Sequence, residues 1–182
     1  MVKVDLIPLR IEDREQFILD NQEAFKYGAM EEFGSRNEDF EEDGEIISRN
    51  TIIASIEGEK ARTFRIVVDG RVVGGVILSI DEKKRQGELE ILFISPKEHS
   101  KGIGQATWMK IENMFPDINV WETMTPYFET RNIHFYVNKL GFHIVEFFNK
   151  KHIDPNMPDD DYREGDGMFR FQKIIGWHNW NK

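Results

Sequence analysis

Hydrophobic and polar residues follow two different periods along the chain, and the changes between them divide it into elements. Four segments carry apolar residues at roughly helical spacing, and seven shorter segments carry them in alternation or in compact runs. The predicted helices cover residues 11–27, 45–56, 102–114 and 130–140. The predicted strands cover residues 2–7, 63–68, 71–80, 88–94, 118–123, 142–148 and 168–175. This order predicts a mixed α/β domain.

Turn residues between these segments indicate how the strands pair. Asp69-Gly70 joins the second and third predicted strands and is typical of a tight antiparallel hairpin. Gly74-Gly75, inside the third strand, indicates a bulge or a close approach of another backbone. The helix at 102–114 connects two strands as a crossover, which makes the strands on either side of it parallel.

The segment 88–105 is the one around which we expect the rest of the chain to be organised. Its alternation places two sets of side chains on opposite faces of a strand. Pro96 ends this strand because it lacks the N–H that a ladder requires. One set is Leu89, Ile91 and Phe93, and the other is Glu88, Glu90, Leu92 and Ile94.

Two glycines, Gly102 and Gly104, open the helix that follows. They leave its first backbone amides uncovered, so a phosphate can approach them. The pattern of a P-loop is absent, and Thr107 stands where the dinucleotide fingerprint requires a third glycine. A tight turn without any ligand explains the two glycines equally well.

A second constellation lies in the predicted helix 130–140. Asn132 and Tyr136 are four residues apart and therefore share one face of that helix. Gly141 follows at the position where a glycine commonly ends a helix. Taken alone, Tyr136 is interpreted more simply as an amphipathic residue of the core.

Composition narrows the chemistry that these residues can perform. A length of 182 residues predicts a single domain, residues 1–182. The chain has no cysteine, which excludes disulfides, thiolate metal sites and cysteine nucleophiles, and its histidines are too scattered for a metal site on one element. We therefore predict no metal. Because no apolar run of about 18 residues and no signal peptide is present, we predict a cytoplasmic protein with no membrane partner.

The net charge of −9 argues against nucleic acid as a partner and favours a cationic small molecule or a basic peptide. Ordinary acidity for solubility explains the same charge. The acidic segment 31–44 is interpreted as a solvated connector, with an acidic lip that faces the substrate as the alternative. The run Asp159–Asp161 is interpreted as a solvated loop, with attraction of a cationic acceptor as the alternative. The aromatic tail at 176–182 is either a homodimer contact or a disordered end.

Taken together and in this order, the two constellations resemble the GNAT superfamily of acyl-CoA-dependent N-acyltransferases. The acetyl-CoA motif of that family, Arg/Gln-x-x-Gly-x-Gly/Ala, stands here as His-Ser-Lys-Gly-Ile-Gly at 99–104. The family's tyrosine before a Lys-x-Gly-Phe run stands here as Tyr136 before 139–142. The resemblance covers 88–148 well, whereas the first 60 or so residues match only as a strand and two helices.

Two positions depart from the family pattern. His99 replaces the usual Arg or Gln, so the phosphate contact of that side chain is open. Glu129 stands where the family often has an Asn seven residues before the tyrosine, and Asn132 is the candidate to replace it. The fold that the resemblance implies is α/β (α+β), a mostly antiparallel twisted sheet of about seven strands with about four helices.

The resemblance also implies roles for individual residues. The backbone of the strand at Phe93 and Ile94 would pair with pantetheine and polarise the thioester carbonyl. Tyr136 would protonate the leaving thiolate. Glu88 or Glu90 would accept the proton of the amine, with simple surface charge as the alternative and Glu122 as a weaker third candidate. The residues implied to hold the cofactor are Phe93, Ile94, Lys101, Gly102, Ile103, Gly104, Gln105, Ala106, Asn132 and Tyr136.

We therefore expect an N-acetyltransferase that moves the acetyl group of acetyl-CoA directly to a primary amine of a small molecule or peptide. A covalent cysteine intermediate is excluded by the composition. A non-catalytic acyl-CoA-binding or regulatory domain of the same fold is the alternative, and Tyr136 with the two glutamates argues against it. The sequence does not identify the amine.

Overall fold

The fold is seen in a computed structural model that describes residues 2–33, 45–99, 101–156 and 167–176. These residues form a seven-stranded sheet with helices on both faces, which confirms the predicted mixed α/β class. The strands are β1 (Asp5–Pro8), β2 (Ala61–Val68), β3 (Arg71–Asp81), β4 (Gln86–Ile94), β5 (Val120–Pro126), β6 (His143–Asn149) and β7 (Gly167–Ile174). The helices are α1 (Arg14–Phe33), α2 (Arg49–Glu57), α3 (Ile103–Met114) and α4 (Thr130–His134), with short 3-10 turns at Ile11–Asp13 and Pro96–Glu98.

The strand order is β1-β2-β3-β4-β5-β7-β6. Every neighbouring pair is antiparallel except β4 and β5, which are parallel as the crossover through α3 predicts. The predicted hairpin at Asp69-Gly70 is present between β2 and β3. Among the described residues, no helix is long and apolar enough to cross a membrane.

Several predicted boundaries differ from the structure, and three of the differences have a local explanation. The first strand begins at Asp5 and includes Pro8, which was expected to stop it; an edge strand tolerates a proline because no further neighbour needs its N–H. Helix α1 continues past Gly28, the predicted stop, and the Tyr27 hydroxyl donates to Glu31 at 2.7 Å across the added turn. The predicted helix 130–140 changes after His134 into a π-helical turn, Phe135–Lys139.

A bulge in β4 changes the direction of its side chains. Ile77 of β3 lies opposite Ile91, and the next residue, Leu78, lies opposite Leu89, so Glu90 is an extra residue in β4. A bulge uses two consecutive residues where the partner strand uses one. The inward and outward positions are therefore exchanged beyond it.

The prediction that Leu89, Ile91 and Phe93 share one face is consequently wrong. Leu89 packs in the larger core, whereas Ile91 and Phe93 pack in the smaller core on the opposite face. Leu92 and Ile94, which were expected opposite Leu89, pack against the same core as Leu89. Apolar residues alternate without interruption along β4, so the sequence gives no sign of the extra residue that reverses the side-chain directions.

The two cores hold the helices to the sheet. In the larger core, Trp108 of α3 packs edge-on against Trp121 of β5 and beside Phe142, each at 5.1 Å between ring centroids. In the smaller core, Phe17 of α1 meets Phe93 of β4 edge-on, also at 5.1 Å. Helices α1 and α2 thus cover one face, and α3 covers the other.

Gly74 and Gly75 allow the close approach that their sequence position predicts. A Cβ on Gly74 would lie 2.2 Å from the carbonyl oxygen of Phe93. A Cβ on Gly75 would lie 2.3 Å from the ring of Phe17 and 2.6 Å from that of Phe93. Side chains here would push both β4 and α1 away from β3, and these are the elements that border the candidate site.

Candidate active site

The parallel strands β4 and β5 separate at the centre of the sheet. Their register runs only over Gln86–Glu88 and Val120–Glu122, although both strands continue beyond it. The hydroxyl of Thr123 donates to the carbonyl of Leu89 at 2.8 Å where the two strands part. We call this opening the β4–β5 fork. An extended ligand could pair there with the β4 edge that faces away from β3.

Tyr136 lies at this fork. Its hydroxyl forms a side-chain hydrogen bond with Thr123, and its half-buried ring packs 6.0 Å from Phe142 and 5.4 Å from Phe171 between centroids. Burial raises the pKa of the phenol, and the charge of Glu129 adds to this effect, while the bond with Thr123 opposes it. The phenol therefore keeps its proton at neutral pH, as a general acid must.

The wider π-helical turn brings two neighbouring rings into the molecule. Phe135 packs against the start of α3, where a Cβ on Gly104 would lie 3.0 Å from its ring. The next residue, Tyr136, packs against the larger core. Gly141 ends the turn with a φ of +76°, the left-handed conformation that its sequence position predicts.

Asn132 lies one turn before Tyr136 and faces the same strand. Its side-chain amide donates to the hydroxyl of Thr125 at 3.3 Å, two residues along β5 from Thr123. It also lies 3.5 Å from the carboxylate of Glu129, the residue at the family's usual Asn position. The predicted shared face of Asn132 and Tyr136 is thus the face that meets β5.

The carboxylate of Glu88 in β4 interacts with three others, those of Glu90 in the same strand, Glu122 in β5 and Asp154. The pKa of Glu88 is raised because surrounding protein atoms displace part of its water, although its side chain keeps an exposed surface, and because Glu90, Glu122 and Asp154 carry the same charge. Glu88 accepts no hydrogen bond from any described residue. A carboxylate in such surroundings binds protons more readily than an isolated one.

The other two candidate bases, Glu90 and Glu122, both accept hydrogen bonds from neighbouring residues. Burial raises the pKa of Glu90, and a hydrogen bond from Ser55 of α2 opposes this effect. Glu122 accepts from Arg170 at 3.2 Å and from Gln172 at 2.9 Å. Glu88 is therefore the carboxylate of the three with the fewest competing donors.

Asp154 is a residue that the sequence did not suggest for this site. It lies in the segment 150–167, which was expected to be a polar surface loop, yet it is only 5% exposed. Its Oδ1 accepts from the backbone and the side chain of Asn156. The sequence Asp-Pro-Asn is typical of a turn closed by an aspartate, and this is the signal that predicts the local geometry. The run Asp159–Asp161 lies outside the described residues.

The glycine loop has the geometry expected of an anion site. Gly102 has a φ of +74° and nothing within 4 Å of the position of a Cβ, so it forms an open left-handed turn before α3. The first hydrogen bond of the helix runs from the amide of Ala106 to the carbonyl of Gly102. The amides of Ile103, Gly104 and Gln105 precede it and lack an intrahelical acceptor. These three amides, together with the helix dipole, suit a phosphate.

Two side chains of the loop interact with other residues of the protein. Gln105 donates to the carbonyl of Lys139 at 3.3 Å, and Lys101 pairs with Glu98 at 2.7 Å. Ser100 is outside the described residues. Among the described residues no group of three or more His, Cys, Asp or Glu side chains is arranged to hold a metal ion.

Both ring nitrogens of His99, which stands at the family's phosphate-binding position, contact other groups of the chain. Its Nε2 lies 2.9 Å from the carbonyl oxygen of Ile94, and its Nδ1 lies 3.0 Å from Nη2 of Arg131. A carbonyl only accepts and a guanidinium only donates, so these partners assign the neutral tautomer with its proton on Nε2. Arg131 was not among the predicted residues, because nothing local in the sequence brings α4 beside residue 99.

Comparison with known proteins gives the same fold and family. Residues 22–142 match the acetyltransferase (GNAT) family. The "Uncharacterized protein YrkN" of Bacillus subtilis (strain 168) is 41% identical over 179 residues, which cover 95% of this chain and 94% of that protein.

Two solved structures share the fold. The ribosomal-protein-S18-alanine N-acetyltransferase of Escherichia coli superposes with a TM-score of 0.66 at 15% identity, covering 99% of both chains. The spermidine N-acetyltransferase of Vibrio cholerae, in complex with CoA and spermine, superposes with a TM-score of 0.64 at 14% identity, covering 94% of this chain and 95% of the other. At these identities the structures establish the fold alone. The family match and the 41% identical relative show that this chain belongs to the GNAT acetyltransferase family.

Proposed function

We propose that the protein is an acetyl-CoA-dependent N-acetyltransferase that acts on a primary amine of a small molecule or peptide by direct transfer. One observation carries this proposal. The buried, proton-retaining hydroxyl of Tyr136 lies at the β4–β5 fork, beside the strand whose far end leads into the open glycine loop. An acid and a phosphate cradle are thus joined by one free strand edge.

The residues present fit a CoA thioester. The amides of Ile103, Gly104 and Gln105 would hold the pyrophosphate, with Lys101, which pairs with Glu98, as a nearby cation. The β4 edge at Phe93 and Ile94 would hold the pantetheine arm by backbone hydrogen bonds, and Asn132 would border it from α4. When bound there, acetyl-CoA supplies the acetyl group as an activated thioester.

Tyr136 and Glu88 would perform the proton transfers. Tyr136 holds a proton on its hydroxyl and would give it to the departing thiolate sulfur. Glu88, whose pKa is raised, would take a proton from the ammonium form of the acceptor, directly or through water, so that the free amine attacks. Glu90 lies close enough to interact with Glu88 and is the second candidate for this role.

The class of acceptor follows from charge. The neighbours named above act, as their names state, on an alanine of a ribosomal protein and on spermidine, which are both amines but very different in size. The carboxylates of Glu88, Glu90, Glu122 and Asp154 and the net charge of −9 favour a cationic amine over an anionic one.

A thiol-release screen tests the proposal. Purified protein and acetyl-CoA are incubated with a library of polyamines, other small amines and peptides, and each product is weighed by mass spectrometry. We expect thiol release with at least one amine, which gains one acetyl group. Tight CoA binding without release on any amine would support the non-catalytic CoA-binding domain instead. Competition of ATP or NAD with CoA would indicate a nucleotide-binding protein.

A further inference from the structure

Four side chains from three elements meet beside the glycine loop. Nη1 of Arg131 pairs with Glu31 of α1 at 3.0 Å, and Nη2 lies 3.0 Å from Nδ1 of His99. Glu31 also accepts from the hydroxyl of Tyr27, whose ring meets the His99 ring edge-on at 5.5 Å between centroids. We call Tyr27, Glu31, His99 and Arg131 the α1–loop–α4 cluster.

Arg131 lies on the side of α4 that faces the glycine loop. It precedes Phe135 by four residues, so both project from the same side of the helix. The ring of Phe135 covers Gly104, within the first turn of α3. His99, which Arg131 touches, stands three residues before Gly102. The guanidinium is therefore held beside the loop whose free amides suit a phosphate.

His99 positions this guanidinium. With its Nε2–H directed to the carbonyl of Ile94, the imidazole presents only the lone pair of Nδ1 to Arg131. The position where the family motif has a phosphate-binding Arg or Gln thus holds an acceptor that orients an arginine from another helix. The cation near this position is thus on residue 131 and not on residue 99.

The ion pair between Arg131 and Glu31 can be replaced by a contact between Arg131 and a phosphate. Both partners of this ion pair are about half exposed, with side-chain exposures of 48% for Arg131 and 47% for Glu31, and exposed pairs contribute little to stability. A guanidinium binds a phosphate through two parallel, charge-assisted hydrogen bonds, which are stronger.

We propose that Arg131 binds a phosphate group of CoA, that His99 orients it, and that Glu31 of α1 is its partner until CoA arrives. This inference rests on the proposed binding of CoA at the glycine loop. It gives the cluster a role in cofactor affinity, and it links the end of α1 to the occupancy of the loop.

Calorimetric titration of CoA into wild type, Arg131→Gln and Glu31→Gln tests the proposal. Arg62→Gln is the matched control, because Arg62 also pairs with an exposed glutamate, Glu82, but at the β3–β4 turn. We expect Arg131→Gln to weaken CoA binding about tenfold or more, with a shallower dependence on salt. Glu31→Gln should leave the affinity unchanged or increase it, and Arg62→Gln should have no effect.

The role of His99 is tested by a double-mutant cycle on CoA affinity. His99→Ala should weaken CoA binding in the wild-type background and have no further effect beside Arg131→Gln. His99→Asn, which retains an acceptor near the position of Nδ1, should restore most of the affinity. An equal effect of His99→Ala in both backgrounds would overturn its orienting role.

Three outcomes separate this inference from the proposed function. If wild type binds CoA and Arg131→Gln binds it equally well, the inference is wrong and the proposed function stands. If Arg131→Gln and Glu31→Gln lower the melting temperature alike without changing CoA affinity, the cluster is only a contact between α1 and α4. If wild type does not bind CoA, the proposed function itself fails.

Discussion

At the scale of single residues, Tyr136 has the environment of an acid that is kept protonated. Burial among the rings of Phe142 and Phe171 disfavours its phenolate, and the side chain of Thr123 interacts with its hydroxyl. The sequence alone left Tyr136 open between this role and that of a core residue. The structure shows that its ring packs against the core while its hydroxyl lies at the fork beside Thr123, so the packing is observed and the role as an acid stays a proposal.

Removal of the Tyr136 hydroxyl should separate chemistry from binding. We expect Tyr136→Phe to lower kcat at least about tenfold, since general acids contribute on the order of 10²–10⁴-fold, and to change CoA affinity less than about twofold. Steady-state thiol release and calorimetry measure the two quantities. Tyr127→Phe, in which an exposed tyrosine loses its hydroxyl, is the control and should have wild-type kinetics. Unchanged turnover of Tyr136→Phe would mean that another group protonates the thiolate.

Glu88 should set the acid limb of the pH profile. Because its pKa is raised, kcat/KM should increase with pH through an apparent pKa above the ordinary value of about 4.3 for Glu. In Glu88→Gln this limb should be lost and kcat/KM should fall about 100-fold. Glu59→Gln, an exposed glutamate beyond α2, serves as the control. An unchanged limb in Glu88→Gln would assign the base to Glu90 or to another group.

The raised pKa of Glu88 also affects the stability of the folded protein. A carboxyl group whose pKa is higher in the folded state stabilises that state at pH values below its unfolded pKa, and this contribution is lost as the pH rises through the folded pKa. Glu88→Gln should therefore raise the melting temperature at pH 8, and the gain should shrink as the pH approaches 4. We expect no more than about 1 kcal/mol, because Glu88 keeps an exposed surface where solvent screens it.

At the scale of elements, the site depends on β4 being interrupted in two ways. The bulge at Glu90 reverses the side chains beyond it, and the departure of β5 after Glu88 frees the β4 edge. The first places Ile91 and Phe93 under α1 and α2, and the second opens the fork. A single side-chain period cannot predict either feature, because both are properties of how strands pair.

The sequence predicted well what is encoded locally and poorly what is encoded by contacts between distant elements. The hairpin at Asp69-Gly70 and the glycine that ends a helix at Gly141 follow from residues that tolerate few alternatives, and both are present. The contact of His99 with Arg131 joins residues that are 32 apart, and neither residue type indicates it. The burial of Asp154, which is only 5% exposed, is likewise not indicated by the polar residues around it in the sequence.

The turn at Gly102 gives a prediction for the glycine loop. Its φ of +74° disfavours any residue with a Cβ, so Gly102→Ala should cost about 1–2 kcal/mol of unfolding free energy and weaken CoA binding by shifting the amides of the loop. Gly28→Ala is the matched control, because Gly28 lies within α1 with nothing close to a Cβ, and it should be neutral or stabilising. Urea denaturation and calorimetry measure both variants. Equal behaviour of the two would show that the loop adopts another conformation.

At the scale of the whole molecule, one sheet has a hydrophobic core on each face, and the stability of each core depends on the other. Neighbouring residues of β3, Ile77 and Leu78, belong to different cores, so neither face can be removed without exposing the other. The family match runs across both faces, from α1 to the end of the π-helical turn. The cytoplasmic location and the dimer contact at 176–182 stay predictions, and most of that tail, like the acidic segment 34–44, lies outside the described residues.

The predicted single domain should unfold as one unit. We expect one calorimetric transition whose van't Hoff and calorimetric enthalpies agree, because the two cores share the sheet. CoA at about 100 times its Kd should stabilise the folded state by about 2.7 kcal/mol and raise the temperature of the whole transition. Two separate transitions, with CoA raising only one, would contradict a single domain.

A crystal structure of the protein with CoA tests the central claim most directly, because it requires no knowledge of the acceptor. The account predicts that the pantetheine arm lies along β4 at Phe93 and Ile94, that the pyrophosphate meets the amides of Ile103, Gly104 and Gln105, and that the sulfur lies within about 3.5 Å of the Tyr136 hydroxyl. CoA bound elsewhere, or bound at the loop with its sulfur directed away from the β4–β5 fork, would contradict it.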